Sequence, residues 1–184
     1  MIQRFGSLVK VRLGLDEDVR HRSVQMLNRL LAHTTAIRDL YKKYHWQTSG
    51  ANFFDLHLLF DKHSNEQAET MDLLAERVQA LGGVALSMAP HVGAETRLAR
   101  APLGVESPSH QLQRLVDAHE FLLVEARPLA REAAFHWHDD PRCAIAHAGL
   151  HHSPSLTPNL QHFGKQGRQF QALRTIESRI HALR

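Results

Sequence analysis

Five side chains in one stretch of this 184-residue chain have the types and spacing to hold a metal ion. His57, Asp61, Asp72 and Glu76 fall in a single run of helical periodicity, and His45 precedes that run. Imidazole nitrogens with carboxylate oxygens suit Fe(II) or Mn(II) better than a structural zinc site, which favours cysteine. At about 100° per residue, Asp61 lies ~40° around the helix from His57, Asp72 ~60° and Glu76 ~100°, so all four share one face. Along the axis, however, the His57/Asp61 pair stands about 22 Å from the Asp72/Glu76 pair. A metal–oxygen bond of about 2 Å cannot span that gap within one straight helix. Two copies packed antiparallel about a dyad near Glu66–Gln67 would set each pair against the partner's other pair. A C2 dimer would then hold two equivalent sites, each with two histidines and three carboxylates.

The elements that must position these groups are legible from apolar spacing. Asp16, Glu17 and Asp18 suit a helix start, and Val19, Leu27, Leu30, Leu31, Ile37, Leu40, Tyr41 and Tyr44 predict a helix over about 17–47. Thr48-Ser49-Gly50 stops it. Asn52 is a suitable N-cap for a second helix over about 53–81, which Gly82-Gly83 ends. The short turn makes the two antiparallel and brings His45 to the His57 end. Residues 84–107 carry Pro90, Gly93, Pro102 and Gly104 and read as a crossover, with a short helix expected over 95–101. Ser107 and Pro108 open a third helix, about 108–134, that Pro128 should kink or weaken. The unit thus spans 16–134. Beyond it, 135–184 is His/Arg-rich and broken by Pro154 and Pro158; only 168–183 regains a helical pattern.

Composition is that of an ordinary soluble domain, with 43% hydrophobic and 22% charged residues. One cysteine, Cys143, excludes an intrachain disulfide framework, and no apolar run reaches the ~20 residues of a membrane span. A cytoplasmic protein is expected. The net charge of +3 is mildly basic. Residues 1–15 read as a flexible basic arm whose Arg4, Lys10 and Arg12 form either a frayed terminus or a phosphate-contacting tail.

The stretch from Tyr41 to Gly83 resembles the Dps proteins, mini-ferritins that protect bacterial DNA under starvation and oxidative stress. The resemblance is carried by His45-Trp46, Gly50, Phe53, Leu56-His57, Phe60-Asp61, Asp72, Ala75-Glu76-Arg77 and Leu81-Gly82-Gly83. It extends less strictly over 16–134, including the DAHEFLLVEAR segment of the third helix. The Glu-x-x-His motif of larger ferritins does not occur. The resemblance implies an all-α, ferritin-like four-helix bundle with a crossover between helices 2 and 3, assembled as a dodecamer. It places the ferroxidase ligands on His45, His57, Asp61, Asp72 and Glu76, in a site shared across a subunit dyad. It also implies that Fe(II) is oxidised by hydrogen peroxide and stored as ferric mineral. Trp46 then reads as either a radical sink or a core-packing residue.

The tail departs from the family, which closes its bundle with an apolar, acidic fourth helix. Two origins fit 139–184: an altered reading frame, or a divergent tail that binds metal or DNA; His147, His151 and His152 read either as metal ligands or, the favoured reading, as low-complexity scatter. Three functions follow: an iron-oxidising and iron-storing enzyme, a non-specific DNA-coating protein associated with the nucleoid, or a product that neither assembles nor stores iron.

Overall fold

The computed structural model describes residues 1–139, with side chains through Pro128. Four helices follow one another: α1 (Glu17–Gln47), α2 (Phe53–Ala80), α3 (Ala89–Glu95) and α4 (Pro108–Asp139), and no strand occurs among the described residues. The first two match the expected spans to within a residue, Leu81 being the C-cap of α2 rather than its last turn. The third long helix runs five residues further than expected and passes through Pro128 without interruption. The expected 168–183 helix and the tail histidines lie outside the described residues. No described helix is long and apolar enough to cross a membrane.

The short crossover helix is displaced from its expected place over 95–101. It forms at Ala89–Glu95, and Thr96 caps it in extended conformation. Pro90, which reads in sequence as a breaker, sits in the first turn, where its missing N–H has no intrahelical partner to lose.

α1 is the shared wall of the bundle, packed against α2, α3 and α4. Leu30 to Thr35 are all buried, so that stretch is enclosed on every side. Leu30, Leu31, Ile37, Tyr41 and Tyr44 meet Leu56, Phe60 and Leu74 of α2 and Leu112, Leu115 and Leu122 of α4 in one core. Asn28 fixes the chain leaving α2: its amide donates to the Val84 carbonyl (2.9 Å) and accepts from the Leu86 N–H (2.9 Å). Those loop groups would otherwise be buried without partners.

The arm is tied to the bundle, contrary to the free, flexible segment its composition suggests. The Val9 N–H donates to the Gly82 carbonyl at 2.8 Å. Buried Arg20 donates to the carbonyls of Val9 and Leu81, both at 3.1 Å. Gly82 has φ +83°, and a Cβ there would lie 2.6 Å from the Val9 oxygen, so only glycine admits the arm this closely. Arg4, Lys10 and Arg12 remain exposed.

Three polar side chains meet inside the core. The Tyr41 hydroxyl lies 2.7 Å from His119 Nε2 and 3.2 Å from His63 Nδ1, joining α1, α4 and α2. One phenol proton serves one acceptor, so Tyr41 donates to one imidazole and accepts from the other. Burial pushes the Tyr41 phenol well up and the His63 imidazole down. His33, fully buried with Nδ1 3.1 Å from Thr96 Oγ1, is also pushed down by burial.

These two depressed histidines set an acid limit on stability. Unfolded histidine binds its proton near pH 6.5, whereas His33 and His63 do so only at lower pH when folded. The unfolded state therefore holds more protons just below 6.5, and stability falls as pH drops. The loss approaches about 1.4 kcal/mol per pH unit for each group between its folded value and 6.5. Urea midpoints at pH 7.5 and 5.5 should show it, and His33→Gln should flatten the slope; an unchanged slope would remove His33 from the account.

Candidate metal centre

The α1–α2 corner brings two of the five candidate ligands into contact. His45, in the last turn of α1, and His57, in the second turn of α2, stack with ring centroids 3.7 Å apart and planes 24° from parallel. Each Nδ1 lies 2.9 Å from the other residue's backbone carbonyl. A carbonyl only accepts, so both Nδ1 atoms carry the proton. In the neutral ring that selects the tautomer whose Nε2 holds a free lone pair, the form a metal requires. Phe53 lies against His57 at 5.1 Å between centroids.

Asp61 follows one turn along α2 and is paired with Lys42 of α1. The hydrogen bond from Lys42 holds its carboxyl below the usual carboxylate range, with a smaller contribution from the Lys42 charge. Asp61 is therefore an anion at neutral pH. Asp72 and Glu76 are exposed further along α2. Asp72 opens into a groove of about 640 Å³ lined also by Met71, Ala75 and the arm residues Gln3 and Val9. Among the described residues of one chain, no three His, Cys, Asp or Glu side chains converge to hold an ion. The chain thus presents two half-sets along α2: His57 and Asp61, joined by His45 of α1, at one end, and Asp72 and Glu76 at the other.

Trp46 is 73% exposed beside His45 and does not pack in the subunit core. Sequence reasoning missed Lys42, whose partner is remote in sequence, and the buried Tyr41–His63–His119 group. The latter left a readable trace. His63 falls on the buried stripe Leu56–Phe60–His63–Leu74, and His119 on Leu112–Leu115–His119–Leu122, where a polar residue needs a partner.

Residues 24–143 match the ferritin-like domain family. An uncharacterised protein from the bpoA2 5′ region of Kitasatospora aureofaciens is 47% identical over 133 residues, covering 72% of this chain and 89% of that protein. The DNA protection during starvation protein of Halobacterium salinarum is 43% identical over 94 residues, spanning 51% of this chain and 49% of the relative. Among solved structures, DpsC from Streptomyces coelicolor superposes with a TM-score of 0.79 at 38% identity, covering 95% of this chain and 94% of that one.

Proposed function

This chain belongs to the Dps family of ferritin-like proteins, and we propose that it oxidises Fe(II) with hydrogen peroxide at a dinuclear site shared by two subunits. His45, His57 and Asp61 of one subunit and Asp72 and Glu76 of the other are the ligands in this reading. Two Fe(II), one hydrogen peroxide and two protons give two Fe(III) and two waters. Two one-electron donors side by side reduce peroxide fully, so no hydroxyl radical need escape.

The observation that carries the reading is the reciprocally bonded imidazole pair. Its two carbonyl acceptors leave Nε2 of both rings free for metal, and the donor set of imidazole and carboxylate suits Fe(II). The carboxylates supply negative charge that favours the ferric product as charge rises. Lys42 keeps Asp61 ionised in readiness for a cation. In this reading Trp46, exposed and next to His45 in the chain, takes up a stray oxidising equivalent. The ferric product would be stored as mineral within a hollow dodecamer built from such C2 dimers, in the cytoplasm.

A second reading, non-specific DNA binding at the nucleoid, is favoured by the exposure of Arg4, Lys10 and Arg12. Displayed on twelve subunits, these cations would hold DNA by counterion release, and binding would weaken steeply with salt. The two activities are compatible.

Size-exclusion chromatography before and after addition of Fe(II) and peroxide tests assembly and storage together. Iron is expected to co-elute with a large oligomer. Iron-free protein eluting as a monomer would contradict the reading.

A further inference from the structure

We propose that the groove between α2 and the N-terminal arm receives Phe54 and Leu58 of a second copy, making the arm part of the subunit interface. The inference rests on the shared-site reading, because that reading sets the register. Placing Asp61 against Asp72 of the partner subunit, and His57 against Glu76 of the partner subunit, makes positions whose numbers total 133 face one another. The same register sets Phe54 opposite Gln79 and Leu58 opposite Ala75.

Three independent observations agree with that placement. Phe54 and Leu58 are large apolar residues left 68% and 52% exposed, one helical turn apart. At about 100° per residue they lie in the same sector of α2 as Asp61 and Glu76, the face that must meet the partner. Ala75 and Gln79, the positions opposite them, both line the groove, together with Met71, Leu86, Gln3 and Val9. Exposed apolar knobs and a partly apolar groove therefore coincide in both register and face.

The arm contributes Gln3 and Val9 to the lining of this groove, and it is held in place. The Val9 N–H to Gly82 carbonyl bond, the two bonds from Arg20 and the close approach allowed by Gly82 hold it against the end of α2. Anchoring the arm thus shapes the seat for the partner, and the seat sits beside the Asp72/Glu76 half-set. The arm's exposed Arg4, Lys10 and Arg12 then stand at the rim of an interface rather than on a free tail.

Crosslinking tests this in full-length protein carrying Cys143→Ser. The pair F54C/Q79C reports the groove, and N65C/A68C, near the dyad, reports the antiparallel register alone. Positions 54 and 79 stand about 37 Å apart along one helix, so any disulfide between them joins two chains. A photoreactive benzoylphenylalanine at position 54 keeps an aromatic ring there. It should label peptides containing Gln3–Val9 or Ala75–Leu86 of an isotopically distinct subunit. Val9→Pro, which deletes the N–H bonded to Gly82, should raise the subunit dissociation constant roughly fivefold to tenfold. Disulfides from both pairs, label in the arm and weaker association of Val9→Pro would support the inference. If N65C/A68C locks but F54C/Q79C does not, or Val9→Pro associates normally, the groove assignment falls and the shared site stands. If neither pair locks, the register fails and the inference with it.

Discussion

With Asp61 replaced by alanine, peroxide-driven oxidation of Fe(II) should fall by at least about a hundredfold, because even outer-shell partners of metal ligands cost 10–100-fold when removed. Asp61 lies one turn along α2 from His57, and the hydrogen bond from Lys42 already holds it in the anionic form. Its removal takes away the negative charge that steadies iron as it becomes ferric. The fold should be indifferent. The Asp61 side chain is 39% exposed, and exposed ion pairs contribute about 0–1 kcal/mol. Stopped-flow absorbance of the ferric product, beside a urea titration, separates the two effects. Oxidation at the parental rate in a folded Asp61→Ala protein would remove Asp61 from the site.

Phe60→Ala should produce the largest loss of stability, about 3–5 kcal/mol as for other buried aromatic truncations. Phe60 is fully buried, with its ring 6.2 Å from Tyr41 and 6.1 Å from Tyr44 between centroids. Its removal opens a void between α1 and α2 beside Tyr41 and Tyr44, one turn along α2 from His57. Partial collapse would shift α2 against α1 and loosen the two imidazole–carbonyl bonds that orient the rings. Oxidation should therefore slow as well, although Phe60 touches no metal. A drop below about 1 kcal/mol would show that the neighbouring rings close the void without cost.

The long helices were readable because each buries a face, and burial writes the 3.6-residue period into the sequence. Phe60 and Leu74 repeat on α2 as that period requires, and the ends of α1 and α2 follow from Thr48 to Gly50 and from Gly82-Gly83. The crossover was less legible because Pro90 is compatible with either a break or a first turn. The docking of the arm could not be read at all. It depends on backbone groups of Val9 and Gly82 and on an arginine buried by tertiary contacts, none of which leaves a periodic trace. For the candidate site, spacing identified the face and showed that one helix could not close around an ion. The carbonyl bonds that set the imidazole tautomers are three-dimensional facts, invisible in residue types. The pairing of Lys42 with Asp61 joins two helices and is equally silent in sequence.

If each site draws ligands from two chains, two inactive variants should complement one another. His57→Ala and Glu76→Ala should each disable every site when assembled alone. In a mixed dimer, one site carries both lesions and the other carries neither. Dissociating the two variants, mixing them equally and reassembling makes about half of the dimers mixed, so about a quarter of the sites are intact. About a quarter of the parental Fe(II) oxidation rate is then expected from two inactive proteins. A mixture as inactive as its components, with mixed dimers verified by mass spectrometry, would contradict it.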